Sequence, residues 1–241
     1  MQKEEFINRI KFITDDFSFT PSLYALLSKD GSYTLKRIRI SKTLEQCIKD
    51  IASDWLNAEI FGENFDLNDI SLIDENKKIF YGLGSYSSSI TFPQINTSET
   101  IYFSKEDQIN LVGLLVYINK DNEYFWLYQH RYPITRITQK NFILALLDGE
   151  ETYNPIESDI FRIDYKFDFI ITDDFLAAKN WKLLQQHFGF ENYVRKIANQ
   201  YIETIENIDF ISDTSKIKEC SNNFKFAKKL MKLKNSKVLM R

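Results

Sequence analysis

The chain has only two cysteines, four prolines, seven glycines and two histidines among 241 residues. Each shortage excludes something. Cys47 and Cys220 cannot supply the disulfide framework on which small secreted domains rely. So few prolines and glycines rule out collagen-like and linker-rich designs. His130 and His187 stand at no metal-ligand spacing with each other or with a cysteine, so no zinc site is expected. No apolar run approaches the roughly 18 to 20 residues of a membrane helix. The opening Met1-Gln-Lys-Glu-Glu-Phe6 lacks the apolar stretch of a secretory signal. A reducing cytoplasm is the expected location, and the chain is expected not to span a membrane itself.

Apolar and aromatic side chains are plentiful. Hydrophobic residues make up 44% and aromatics 15%, enough to offset the ordering entropy of a folded core. The net charge of −3 conceals an uneven division. Residues 215–241 carry nine basic side chains against Glu219 alone, a charge of +8, whereas the remainder holds 22 basic against 33 acidic residues, or −11. Such a block predicts an electrostatic partner for the basic end, either phosphates or the acidic body of the protein.

Periodicity places the elements. Phe6, Ile10 and Ile13 predict a helix over 4–14. Leu23–Ser28 and Ser32–Ser41 flank Lys29-Asp30-Gly31, whose Asp-Gly pair suits a tight hairpin turn. Ser41 or Thr43 caps a helix to about Ile60, with Leu44, Ile48, Ile51 and Trp55 as its stripe and Cys47, one position from it, buried or half-buried. A strand is expected at Lys77–Leu83. Ile109–Asn119 and Tyr124–Arg131 form a second hairpin, apolar enough to lie centrally in a sheet covered on both faces. Ile160–Ile171 alternates cleanly and predicts a long strand, followed by another at Asp174–Ala178. Helices then follow at Trp181–Phe188 and along the stripe Phe190, Val194, Ile197, Tyr201 and Ile205. A final basic helix, about Asn222–Lys234, is expected to dock through Phe226, Leu230 and Leu233. The fold class is α+β, a mixed or antiparallel central sheet with N-terminal and C-terminal helices. The division expected is an N-terminal α+β region over 1–98 and a second α+β domain over 99–241, the alternative being a single domain.

Catalytic chemistry has little to stand on. His130 sits at a strand end without a local Ser or Cys nucleophile. Gly82-Leu-Gly84-Ser-Tyr-Ser87 lacks the third glycine of a dinucleotide fingerprint and the lysine of a phosphate loop, and reads as a surface turn. The sharpest enzymatic idea is a Mg²⁺-dependent nuclease, with Asp164 and Lys166 on a strand and Asp148 or Glu151 before it; strand alternation explains the same residues without a site. No cofactor is expected and no catalytic residue is assigned. Basic residues offer the better lead: Lys225, Lys228, Lys229, Lys232, Lys234 and Lys237 at the C-terminus, with Arg131, Arg136 and Lys140 after the central hairpin. Interleaved with aromatics, they suit sequence-tolerant contact with DNA. Lys225, Lys228, Lys229 and Lys232 are expected at or beyond the edges of the docked stripe, free to meet phosphates.

The C-terminal half resembles a known family. Trp126-Leu-Tyr-Gln129 closes an aromatic hairpin; Asp168-Phe-Ile-Ile-Thr-Asp-Asp-Phe-Leu-Ala-Ala178 forms a strand pair. Phe188-Gly-Phe190-Glu-Asn-Tyr193, the stripe to Ile205 and Ala227-Lys-Lys-Leu-Met-Lys-Leu233 complete the pattern. Over about Glu99 to Arg241 it resembles the KwaB-like proteins of the Kiwa anti-phage defence system, although the turn Thr172-Asp173-Asp174 lacks a glycine expected there. The resemblance implies a cytoplasmic defence effector that binds double-stranded DNA, forms a homodimer and works beside a small membrane partner, KwaA, which could recruit it to the inner face of the membrane. A nuclease of phage defence or a non-catalytic protein-interaction module are the alternatives.

Overall fold

Two hairpin turns organise the sheet. Asp30 and Gly31 have φ of 50° and 78°, and Asp121 and Asn122 have φ of 48° and 69°. Positive φ at both turn residues gives a twist that matches the strands on either side. The first turn joins β1 (Ser22–Lys29) to β2 (Ser32–Arg37), and the second joins β5 (Leu111–Lys120) to β6 (Glu123–His130). With β3 (Leu67–Asp69), β4 (Phe80–Gly84), β11 (Phe169–Ile171) and β12 (Phe175–Ala178) they form an eight-stranded sheet in the order β2-β1-β5-β6-β11-β12-β4-β3. Its pairings are antiparallel except β3 with β4, so the sheet is mixed. Its strands come from both the 1–98 and the 99–241 regions. Two short antiparallel pairs stand apart, β7 (Arg136–Ile137) with β10 (Ile160–Phe161) and β8 (Ala145–Leu147) with β9 (Tyr153–Pro155). This computed structural model describes residues 3–15, 19–63, 65–69, 80–84, 101–131, 136–137, 145–147, 153–155, 160–207 and 214–235.

The central hairpin is apolar on both faces because each face has its own core. Leu114, Val116, Ile118, Phe125 and Leu127 meet α1 (Lys3–Thr14) and α2 (Lys42–Glu59) through Phe6, Ile10, Ile48 and Trp55. Leu115, Trp126 and Tyr128 point the other way. There they meet α3 (Trp181–His187), α4 (Phe190–Glu206) and α6 (Phe224–Asn235) through Leu184, Val194 and Leu230, and α5 (Ser215–Ser221) leads into α6. Gly189 at φ 69° breaks α3 from α4, a backbone angle at which a side chain would be strained.

Several expectations are corrected. Ser41 caps α2, its hydroxyl accepting from Leu44 N at 3.2 Å, and Thr43 lies inside the helix. The buried face of α2 is Ile48, Ala52, Trp55 and Leu56; Leu44 is 38% exposed and Cys47 is exposed, because the contact rotates toward the later turns. Gly82 and Gly84 lie in strand β4, not in a turn, and a Cβ on Gly82 would sit 2.5 Å from the Phe175 ring. Residues 77–79 and Ser85 to Ser87 fall outside the described residues. The alternation of 160–171 does not give one strand: between β10 and β11, residues 162–168 run as an irregular loop. The Gln129 amide takes the place of a partner strand there. Its Nε2 donates to the carbonyls of Asp164 and Lys166, both at 2.7 Å, and its Oε1 accepts from Asp164 N at 3.0 Å.

Candidate nucleic-acid interface

The basic helix α6 starts where Asn223 Oδ1 accepts from Lys225 N at 3.0 Å, satisfying an amide that the helix leaves open. Ala227, Leu230 and Met231 are its buried side chains, with Phe224 and Phe226 packed at the margin. The stripe is therefore 227, 230, 231 and not 226, 230, 233; Leu233 is 45% exposed. That small rotation decides which lysines are available. Lys225, Lys229 and Lys232 are exposed and recur at helical spacing on one face. The span from Lys225 to Lys232 is about 10 Å at 1.5 Å per residue.

Lys228 is held differently. Its ammonium stands 4.1 Å from the centroid of the Trp181 ring and 5.8 Å from that of Phe224, so it seats α6 against the start of α3 and is not free as expected. Lys234 donates to Gln200 Oε1 on α4 at 3.0 Å. Lys218 of α5 pairs with Glu206 at 2.6 Å, and its hydrogen bond, joined by one from Thr214, holds that carboxylate below its usual range. Arg131 is half-buried and reaches the Gln108 carbonyl at 3.3 Å. Arg136 lies in β7, while Lys140 and Lys237 fall outside the described residues.

The strand-borne carboxylate idea is also altered. Asp164 and Lys166 sit in the loop that Gln129 supports, and Asp164 is paired with Arg162 at 2.5 Å. Asp148 and Glu151 lie outside the described residues. Among the described residues, no group of three or more His, Cys, Asp or Glu side chains is placed to hold a metal ion.

Sequence reasoning missed one cluster. At the C-terminal end of β6, His130 and His187 stack with ring centroids 4.9 Å apart, and Tyr128 Oη lies 3.3 Å from His130 Nδ1. Burial, reinforced by the neighbouring His187, lowers the His130 pKa to about 4; burial also lowers that of His187. Among the described residues, the Nε2 atom of His187 is buried with no hydrogen-bond partner. Asp168 accepts from His130 N at 2.8 Å, and burial raises its carboxyl despite that bond and another from Asn180. Two isolated histidines give no spacing signal, and only the crossing of β6 with the end of α3 brings them together.

A protein-family model described as Kiwa protein KwaB-like matches residues 107–241. Among curated proteins, Kiwa protein KwaB of Escherichia coli O55:H7 is 24% identical over an alignment that covers 99% of this chain and 78% of that protein. No solved structure matches this chain.

Proposed function

We propose, from the premise that this chain belongs to the Kiwa protein KwaB-like family and is a component of a Kiwa anti-phage defence system, that it binds double-stranded DNA through the lysine face of α6. The observation that carries this reading is the exposed row Lys225, Lys229 and Lys232, set on a helix whose opposite face is buried. Lysines are compact point charges that meet phosphates without reading bases, so the binding is tolerant of sequence. The protein acts as a non-catalytic effector in the cytoplasm, associates with a second copy of itself and works beside a small membrane partner of the KwaA kind that draws it to the inner face of the membrane. No described helix is long and apolar enough to cross a membrane.

Magnitudes make the reading testable. Three phosphate contacts correspond to a slope of about −2.7 in log affinity against log salt, so doubling the salt weakens binding roughly six-fold. Reversing Lys225, Lys229 and Lys232 to Glu should abolish most of that slope along with the affinity, measured by fluorescence polarisation on a labelled duplex. An affinity and slope equal to those of the parent protein would overturn the assignment.

A further inference from the structure

Tyr165 is the most conspicuous aromatic left in water. It is 72% exposed, in a chain that buries most of its described aromatic rings, including Tyr81 and Tyr128 entirely or nearly so. A lone exposed tyrosine is ordinary. This one is built into place. Its loop is clamped beneath by the Gln129 amide, a side chain only 5% exposed, through the hydrogen bonds to Asp164 and Lys166 that bracket Tyr165. Phe167 is buried against Trp55 with ring centroids 5.3 Å apart, and Ile163 packs on the same core. The backbone on both sides of Tyr165 is thus fixed while its ring is turned outward. An aromatic group ordered before its ligand arrives avoids the entropic cost of ordering on binding.

Lys166, next in the chain, is exposed, while Arg162 at the start of the same loop is paired with Asp164 at 2.5 Å. A ring held out beside an exposed ammonium is the arrangement that grips an unpaired base and its phosphate.

We infer that Tyr165 is a stacking platform for an unpaired nucleobase, with Lys166 on the adjoining phosphate, so that the protein engages single-stranded or frayed DNA in addition to the duplex. This rests on the DNA-binding reading given above. A base bound this way is recognised by its π-face, whichever base it is, and stacking depends little on salt.

The test is fluorescence polarisation of the full chain with a labelled single-stranded oligonucleotide and a blunt duplex, each at two salt concentrations. Tyr165→Ala should weaken single-strand binding about ten-fold with its salt slope unchanged, and leave blunt-duplex affinity within about two-fold. Tyr165→Phe, which keeps the ring and loses only the hydroxyl, should bind like the parent. Thermal melts should match for all three, since the side chain is exposed. Equal single-strand affinity in the parent and Tyr165→Ala would overturn the stacking role while leaving duplex binding intact. A parent protein that binds neither DNA would overturn the DNA-binding reading and this inference with it. A loss in Tyr165→Phe as large as in Tyr165→Ala would also overturn stacking, because it would place the contact on the hydroxyl.

Discussion

The imidazole rings of His130 and His187 lie 4.9 Å apart with their planes 32° from parallel, and both are held neutral. His187 ends α3, where the helix dipole favours a cation by about 0.3 to 1 kcal/mol. Burial outweighs that. The Tyr128 hydroxyl and the Asp168 carboxyl stand close to His130 from β6 and the start of β11, yet its pKa still falls to about 4.

A pH dependence follows from the direction of these shifts. A histidine whose folded pKa lies below its unfolded value near 6.5 gives stability that is complete above about pH 6.5 and lost as pH falls toward 4. The expected loss is on the order of 1 to 2 kcal/mol after allowance for solvent screening. Thermal melts of the parent between pH 7 and pH 4.5 should show it. His187→Phe, which keeps a ring against His130 and removes one titrating group, should flatten that dependence.

Arg9 on α1 reaches Glu123, Asp173 and Asp174, each at 2.8 Å, tying the helix to the β5–β6 and β11–β12 turns. The pairs are partly exposed, so each contributes little alone, but one guanidinium serves all three. Arg9→Ala should cost about 1 to 2 kcal/mol in urea denaturation, with a smaller cost at high salt. Arg9→Lys should recover less than half of it, because an ammonium cannot present the fork.

Gly113 on β5 faces the Tyr128 ring so closely that a Cβ would lie 2.4 Å from it. That ring is pinned between Phe169, stacked at 4.9 Å, and Phe188, edge-on at 5.4 Å, and cannot retreat. Gly113→Ala should therefore destabilise the fold by about 1 to 3 kcal/mol or more. Gly84→Ala, which meets nothing within 4 Å among the described residues, should change it by less than about 0.5 kcal/mol. Chemical denaturation of the two variants side by side makes the comparison.

Lys228 and Lys229 are neighbours in sequence with different tasks. Lys228→Met should lower stability by about 0.5 to 2 kcal/mol through the lost contact with Trp181, and shift tryptophan fluorescence. Lys229→Met, at an exposed position, should leave stability within about 0.5 kcal/mol and weaken DNA binding.

The first β-hairpin was legible because its turn is written in local chemistry, Asp30-Gly31, and the second because both of its arms are rich in β-branched and aromatic residues. The two-faced central strands could also be read, since a strand covered on both sides is apolar throughout. The KwaB-like family was recognised from the spacing of aromatic and apolar residues, and the family model matches 107–241. Failure came where a distant side chain intervened. Alternation from Ile160 to Ile171 looks like a strand until Gln129, on another strand, satisfies the backbone at Asp164 and Lys166. In α6, stripes through Phe226 and through Ala227 differ by one residue, and the packing against α4 decides between them. Tyr165 was invisible as a candidate because its alternation partners made it look like one face of a sheet.

The strand order also sets a timetable for folding. β1 finds β2 at once, but its other neighbour is β5, and β4 pairs with β12, whose last residue is Ala178. During synthesis α1, α2 and β1 therefore wait for β5 and β6, and β4 waits until the β11–β12 pair has emerged from the ribosome. Pairings this distant are slow to form and expose apolar surface in the interval. Chaperone dependence during synthesis is therefore expected to be greatest before β12 has been translated.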